Sequence, residues 1–223
     1  MKSVMGKSFL LFLAFAPALL FAGAARAAEG DVALPAPQKS GGPALLQALS
    51  DRRSDRAFAD ADLTPQQLSD LLWATAGVNR DNGLRVYPVA MGIQDTFVYV
   101  LDRQGVYRYD PAANALILIE KGDHRAETTF DAARTPFVAK AAVNLAYVHD
   151  ASLWKDRKAP AERVAQWGFA HTGAVMQNAY LYAASQGWSA VVRGSFDGAR
   201  LAKLLKLPEG QSVTLVHSIG PRP

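Results

Sequence analysis

Residues 95–120 read DTFVYVLDRQGVYRYDPAANALILIE, and the shape of the chain follows from how that stretch is parsed. Phe97-Val98-Tyr99-Val100-Leu101 is a run of aromatic and β-branched residues, the composition of a pleated, half-buried surface. Gly105–Asp110 alternates Val106, Tyr107 and Tyr109 with polar partners, and Ala115–Glu120 carries Leu116-Ile117-Leu118-Ile119 after a Pro111–Asn114 turn. Links this short join antiparallel neighbours, so the stretch predicts a small meander. A further run, Ala141–Val148, is apolar on both faces and predicts a central strand.

Helical signals flank these strands. Pro43–Arg53 places Leu45, Leu46 and Leu49 at helical spacing, with Pro43 in the first turn. A second helix is marked by Thr64 as N-cap, Pro65 at the first position, Gln67 completing a capping box and Gly77 as the stop. Between Ala161 and Ser185, Trp167, Ala170, Ala174, Gln177, Leu181 and Ala184 recur every three or four residues, and Gly187 follows. The many Ala and Gly residues of that long helix admit a close neighbour. Strand Ser189–Arg193, helix Asp197–Lys206 with Asp197 as N-cap, and strand Ser212–Ile219 complete the order. The expected architecture is one α+β (mixed α/β) domain over residues 43–223, with a central, mainly antiparallel sheet flanked by helices.

The N-terminus has a different character. Lys2 and Lys7 precede the apolar run Phe9–Ala22, and Ala25-Arg26-Ala27 is a small-x-small cleavage pattern. Residues 1–27 therefore read as a secretory leader, too short for a comfortable membrane span. The alternative is an uncleaved N-terminal anchor. Residues 28–42, with two Pro, several Gly and little periodicity, read as a linker. The expected location is periplasmic or secreted, with no stable membrane insertion once the leader is cut.

The 223 residues are 50% hydrophobic and 20% charged, which excludes disorder. Their formal charge is +4, but losing Lys2, Lys7 and Arg26 with the leader leaves +1. A near-neutral surface gives no steering toward polyanions, so nucleic-acid binding loses its support. Without Cys there is no disulfide, thiolate nucleophile or Cys-zinc site. His124, His149, His171 and His217 show no metal-ligand spacing. Asp60 and Asp62 read as a polar turn before the Thr64 cap.

The densest polar feature is Arg52-Arg53-Ser54-Asp55-Arg56. Three guanidiniums and a hydroxyl can hold a phosphate through charge-assisted, bidentate hydrogen bonds. Cations at the end of a helix also complement its macrodipole, and spacing alone leaves both readings open.

With Phe58, Leu63-Thr64, Gln67–Ala74 and Gly77-Val78-Asn79-Arg80, that cluster resembles the opening of the FMN-dependent nitroreductase superfamily. The branch most similar is that of the SagB-type, azoline-oxidising dehydrogenases. The resemblance continues through Arg85–Met91, Val98–Val100, Gly105–Asp110, Gly122–Arg125, Gly173-x-x-x-Gln177-Asn178-x-Tyr180-Leu181, Gly187, Val192–Asp197, Leu205-x-Leu207-Pro208 and Ile219-Gly220-Pro221. It spans almost everything from Gly41 to the C-terminus.

The resemblance implies an intimate homodimer with FMN in each of two interface clefts. Arg52, Arg53, Ser54 and Arg56 would hold the phosphate and ribityl chain, with Arg222 as a further phosphate contact. Pro88, Val89, Ala90 and Met91 would run along the flavin ring. Val191, Val192, Arg193 and Gly194 would offer backbone to the ring's other edge. Arg193 or Arg85 would offset the negative charge that reduction leaves near N1.

A flavin brings its own redox chemistry, so no catalytic acid, base or nucleophile is expected from the chain. The implied activity is an FMN-dependent oxidoreductase, passing a hydride from a small-molecule donor such as NAD(P)H to a small electron-poor acceptor. Where the family often shows Pro-Ser-Ala-x-Asn, this chain has Pro88-Val89-Ala90-Met91-Gly92. The missing Ser and Asn side chains leave a second reading, a non-catalytic periplasmic binding protein on the same fold. Trp154, in a charged stretch before Pro160, is a candidate lid over the cleft.

Overall fold

The computed structural model describes residues 28–223; the leader expected over residues 1–27 lies outside the described residues. One seven-stranded sheet carries the fold. Its strands are β1 (Val32–Ala33), β2 (Thr96–Leu101), β3 (Gly105–Asp110), β4 (Ala115–Lys121), β5 (Val143–Asp150), β6 (Ser189–Arg193) and β7 (Gln211–Gly220). Their order is β1-β4-β3-β2-β5-β7-β6, and every neighbouring pair is antiparallel. The helices are α1 (Leu45–Asp51), α2 (Pro65–Ala76), α3 (Phe137–Lys140), α4 (Ala161–Ser185) and α5 (Gly198–Leu204).

β5 lies inside the sheet between β2 and β7, and its two faces feed two cores. Leu145 and Tyr147 pack with Leu71, Leu72, Val175 and Ala179 of α2 and α4. Ala146 and Val148 face the other way, toward Leu201 and Leu205 around α5. That is why this stretch is apolar at every position. The long α4 comes very close to β5, since a Cβ on Gly168 would meet the His149 ring at 2.6 Å. Here a glycine admits a close approach.

α2 starts as its sequence requires: the Thr64 hydroxyl accepts from Gln67 N–H, and the Gln67 side chain returns to Thr64 N–H. Gly77 keeps an extended conformation (φ −71°) instead of a left-handed stop, whereas Gly187 after α4 is left-handed at φ 69°. The fifth strand begins at Val143 rather than Ala141, because Ala141 N–H closes the α3 turn on Phe137 and its carbonyl accepts from Arg125.

Much of the stretch expected as a linker, residues 28–42, is docked instead, from Asp31 to Gln38. Val32 and Ala33 pair with Leu116 and Ala115, Leu34 N–H donates to the Asn114 carbonyl, and the Pro35 carbonyl accepts from Ser69 and Asn114. Its prolines point it along the sheet edge without supplying a periodic signal.

Candidate functional site

β6 is the last strand of the sheet, so its outer backbone groups have no strand partner. The arginine cluster covers that edge. Leaving α1 in extended conformation, the chain brings Asp55 N–H to the Ala190 carbonyl at 2.9 Å. Val192 N–H donates to the Tyr180 hydroxyl at 2.8 Å, and that hydroxyl lies 2.9 Å from Ser54 Oγ. Tyr180 of α4 thus ties the segment Arg52–Arg56 to the segment Val191–Gly194. Two groups of residues 135 or more positions apart are drawn together at one place.

Its electrostatics are one-sided. Arg52 is half-buried over the Tyr180 ring at 5.4 Å, Arg56 stands over Phe137 at 5.8 Å, and Arg53 is exposed. Arg222 arrives from the C-terminus, its Nε buried without a hydrogen-bond partner and 3.7 Å from Asp55 Oδ2. Arg53 Nε is 3.8 Å from the same oxygen. Ala57 N–H, with the charges of Arg222 and Arg53, holds the Asp55 carboxyl below its ordinary range. Two of the four guanidiniums, those of Arg53 and Arg222, therefore share the Asp55 carboxylate, while Arg52 and Arg56 lie over aromatic rings. The donor set fits a phosphate, which supplies the acceptor oxygens that the site lacks.

Pro88–Met91 forms the second part. Ala90–Gly92 makes a single tight turn in which Met91 (φ 53°) and Gly92 (φ 73°) are both left-handed. Pro88 and Met91 are exposed. Pro88, Val89 and Gly92 border a cavity of about 420 Å³ with Arg80, Arg85 and Tyr87, and Arg85 Nε is buried there without a partner. The turn is held to α4 by Ala90 N–H donating to His171 Nε2 at 2.8 Å. His171 and Tyr180 are nine positions apart, which at 3.6 residues per turn is two and a half turns, so they leave opposite sides of the helix. α4 consequently stands between the two parts.

Of the two cations left open by the sequence, only Arg85 borders a cavity. The Arg193 guanidinium is turned into the protein, donating to the Thr128 carbonyl at 2.7 Å, to its hydroxyl at 3.0 Å and to Asn144 Oδ1 at 3.3 Å. Burial lowers its pKa to about 10. Arg193 can therefore offer a ligand its backbone but not its charge.

Other expectations resolve as structural roles. Trp154 is no lid: it is buried, donates to Asp95 Oδ2 at 2.7 Å and stacks on Trp167 at 4.5 Å. Asp60 and Asp62 both pair with Arg103. His217 is fully buried, 2.9 Å from the Tyr147 hydroxyl, and burial lowers its pKa to about 3. Among the described residues no group of three or more His, Cys, Asp or Glu could hold a metal ion, and no helix is long and apolar enough to cross a membrane.

Residue spacing did not reveal Asp95, His171 or the tie made by Tyr180. Their partners lie 12 to 126 residues away in sequence, beyond the reach of any local pattern.

The profile of the Nitroreductase family matches residues 49–221. A protein of Methanocaldococcus jannaschii named as a nitroreductase is 29% identical over 171 residues, covering 74% of this chain and 85% of its own length. A solved structure from Ralstonia eutropha, also named as a nitroreductase, superposes with TM-score 0.79 at 36% identity, covering 86% of this chain and 90% of that one. The NADPH:FMN oxidoreductase of Vibrio harveyi, solved in complex with NAD+, shares the fold with TM-score 0.60 at 21% identity, over 80% of this chain and 68% of that one.

Proposed function

The chain belongs to the nitroreductase family, and on that premise we propose that it is an exported, homodimeric oxidoreductase. In this reading it binds FMN and carries a hydride from a reduced donor such as NAD(P)H to a small, planar, electron-poor acceptor. One observation carries the reading: the segment Arg52–Arg56, with Ser54 tied to Tyr180, covers the edge of β6, and Arg53 and the C-terminal Arg222 both stand by the Asp55 carboxylate. Arg52, Arg53, Ser54, Arg56 and Arg222 would grip the phosphate and ribityl chain. Val191–Gly194 would present backbone to the flavin ring.

The second part of the site belongs in the same cleft when two copies meet. α4 separates Pro88–Met91 from the arginine cluster within one chain, so a partner copy is the economical source of that turn. The surface for such a partner is apolar. Leu45, Leu46 and Leu49 of α1 and Phe169 of α4 are all exposed, at 63%, 78%, 45% and 59%. Arg85, on the cavity beside Pro88 and Val89, would supply the cation that favours the reduced cofactor.

FMN, when bound, would supply the two-electron hydride chemistry. The chain's share is to bind, orient and shield, and donor and acceptor would use one cleft in turn with ping-pong kinetics. The V. harveyi relative supports a nicotinamide donor. Within the family, the resemblance of the motifs to those of the SagB-type dehydrogenases supports that branch as the proposed one. The leader-like residues 1–27 support export to the periplasm or beyond.

A second reading, a non-catalytic binding protein on this fold, is favoured by Val89 and Gly92, which offer the cavity no polar side-chain atom. One experiment separates the two. The mature protein purified under mild conditions should be yellow, with one FMN per chain, and should bleach on anaerobic titration with NADH or NADPH. Colourless protein that takes up no added FMN contradicts the enzyme reading.

A further inference from the structure

Between the sheet and α4 lies a buried polar chain that the proposed reaction does not use. Asp95, fully buried, precedes β2. Its Oδ1 lies 2.7 Å from His171 Nδ1, and its Oδ2 accepts from Trp154 Nε1 at 2.7 Å. His149 Nδ1 stands 3.4 Å from the same Oδ2. On its other side the His171 ring accepts Ala90 N–H at Nε2, 2.8 Å away. A backbone N–H only donates, so Nε2 must present its lone pair and the ring proton must sit on Nδ1, directed at Asp95. Burial opposes ionisation of Asp95, but His149, His171 and Trp154 ranged around it hold its carboxyl well below the ordinary range.

A buried carboxylate and imidazole are a costly way to fill space. Beyond the core, this pair touches only one backbone amide, that of the residue opening the doubly left-handed turn Ala90–Gly92. Ile93 N–H closes that turn on the Ala90 carbonyl, so holding Ala90 holds the turn. We propose that His171 is a positioning residue, with Asp95 selecting its tautomer, and that through Ala90 N–H it sets Pro88–Gly92 in the conformation that meets the flavin ring. The inference rests on the flavin reading above and adds to it the group that orients the ring-facing turn.

Asp95→Asn tests the relay with little change of shape. Trp154 Nε1 only donates, so the Asn carbonyl must face it and the amide must face His171. The ring then carries its proton on Nε2, donor against donor with Ala90 N–H. His171→Phe removes the acceptor and keeps the bulk, whereas His171→Gln restores an acceptor on a similar reach. Each protein is measured for unfolding midpoint, hydrogen exchange at the Ala90 amide in the apo form, FMN dissociation constant and visible circular dichroism of the bound flavin.

The expected result is a protected Ala90 amide in the wild type, with protection lost in Asp95→Asn and His171→Phe. FMN should bind roughly tenfold more weakly to those two, with an altered flavin spectrum, and His171→Gln should recover most of both. Variants that bind FMN as the wild type does, with the same spectrum, overturn the positioning role even if they are less stable. If Asp95→Asn fails to fold, the His171→Phe and His171→Gln pair decides. Wild-type protein that binds no FMN overturns the flavin reading and this role with it, while the exchange data still report whether the relay holds the turn. An unprotected Ala90 amide in the wild type overturns the relay itself.

Discussion

Tyr180→Phe removes one oxygen from the place where the arginine segment, the edge strand and α4 meet. The ring stays, and with it the contacts to Arg52 at 5.4 Å and to the His217 ring at 4.4 Å. Two hydrogen bonds are lost. Ser54 is exposed and recovers water, so its share is small. Val192 N–H is different: it is part-buried on the outer edge of β6, and no strand lies beyond to accept it. Leaving a buried donor unsatisfied costs about 1–3 kcal/mol. For a chain of this size, about 2–4 °C of melting temperature accompanies each kcal/mol, so the midpoint should fall by roughly 2–12 °C.

The segment Arg52–Arg56 also keeps only the Asp55–Ala190 bond to hold it against β6. FMN should consequently bind several-fold more weakly than the stability loss alone would cause. Thermal unfolding in the apo form and fluorescence titration with FMN measure the two effects separately. A variant as stable as the wild type, with unchanged FMN affinity, would show that the Tyr180 hydroxyl organises nothing.

Acid should expose the buried histidine. His217 titrates in the fold only at about 3, whereas an unfolded histidine takes its proton near pH 6.5. Between those values the unfolded state binds the extra proton. Falling pH therefore removes about 1.4 kcal/mol of stability per unit through this residue. Asp95, held low, contributes stability that is present above about pH 4 and lost below it, so histidine dominates from pH 6.5 down to 4.5. Urea unfolding across that window should show a shallower pH slope in His217→Phe; equal slopes would contradict the assignment. Val89→Ser with Gly92→Asn should tighten FMN binding by about fivefold to about a hundredfold, at about 0.5–1.5 kcal/mol for each of two new hydrogen bonds. Asn tolerates the left-handed backbone at position 92, and an added Cβ there meets nothing within 4 Å. Unchanged or weaker binding would place that turn away from the flavin.

Local physics made much of the fold legible. α4 was readable to both ends because Pro160 precedes it, Gly187 follows it and its apolar residues keep a steady period. The Thr64–Gln67 capping box and the doubly apolar β5 were equally plain, since each reports its own environment. Two-residue β1 was not, because Val32-Ala33 is too short to show alternation and sits among prolines. The buried side of Arg193 was not legible either: Ser189, Val191 and Arg193 share one buried face of β6, but Ala190 on the other face is buried too, so no alternation marks it. The relay from Asp95 through His171 to Ala90 had no sequence signature at all. Only the crossing of α4 over the sheet brings those groups within reach.

The account stands on the arginine cluster holding a phosphate, and comparing FMN with riboflavin tests that most directly. The two ligands share a ring and differ in the phosphate. Dissociation constants for both should be measured on the wild type and on the single variants Arg53→Ala and Arg56→Ala. Each lost charge-assisted contact is worth about 1.5–3 kcal/mol, so FMN should weaken by roughly 10- to 100-fold in the variants while riboflavin affinity stays as it was. Wild-type protein that binds riboflavin as tightly as FMN, or variants that weaken both ligands equally, would show that these guanidiniums do not grip the cofactor's phosphate.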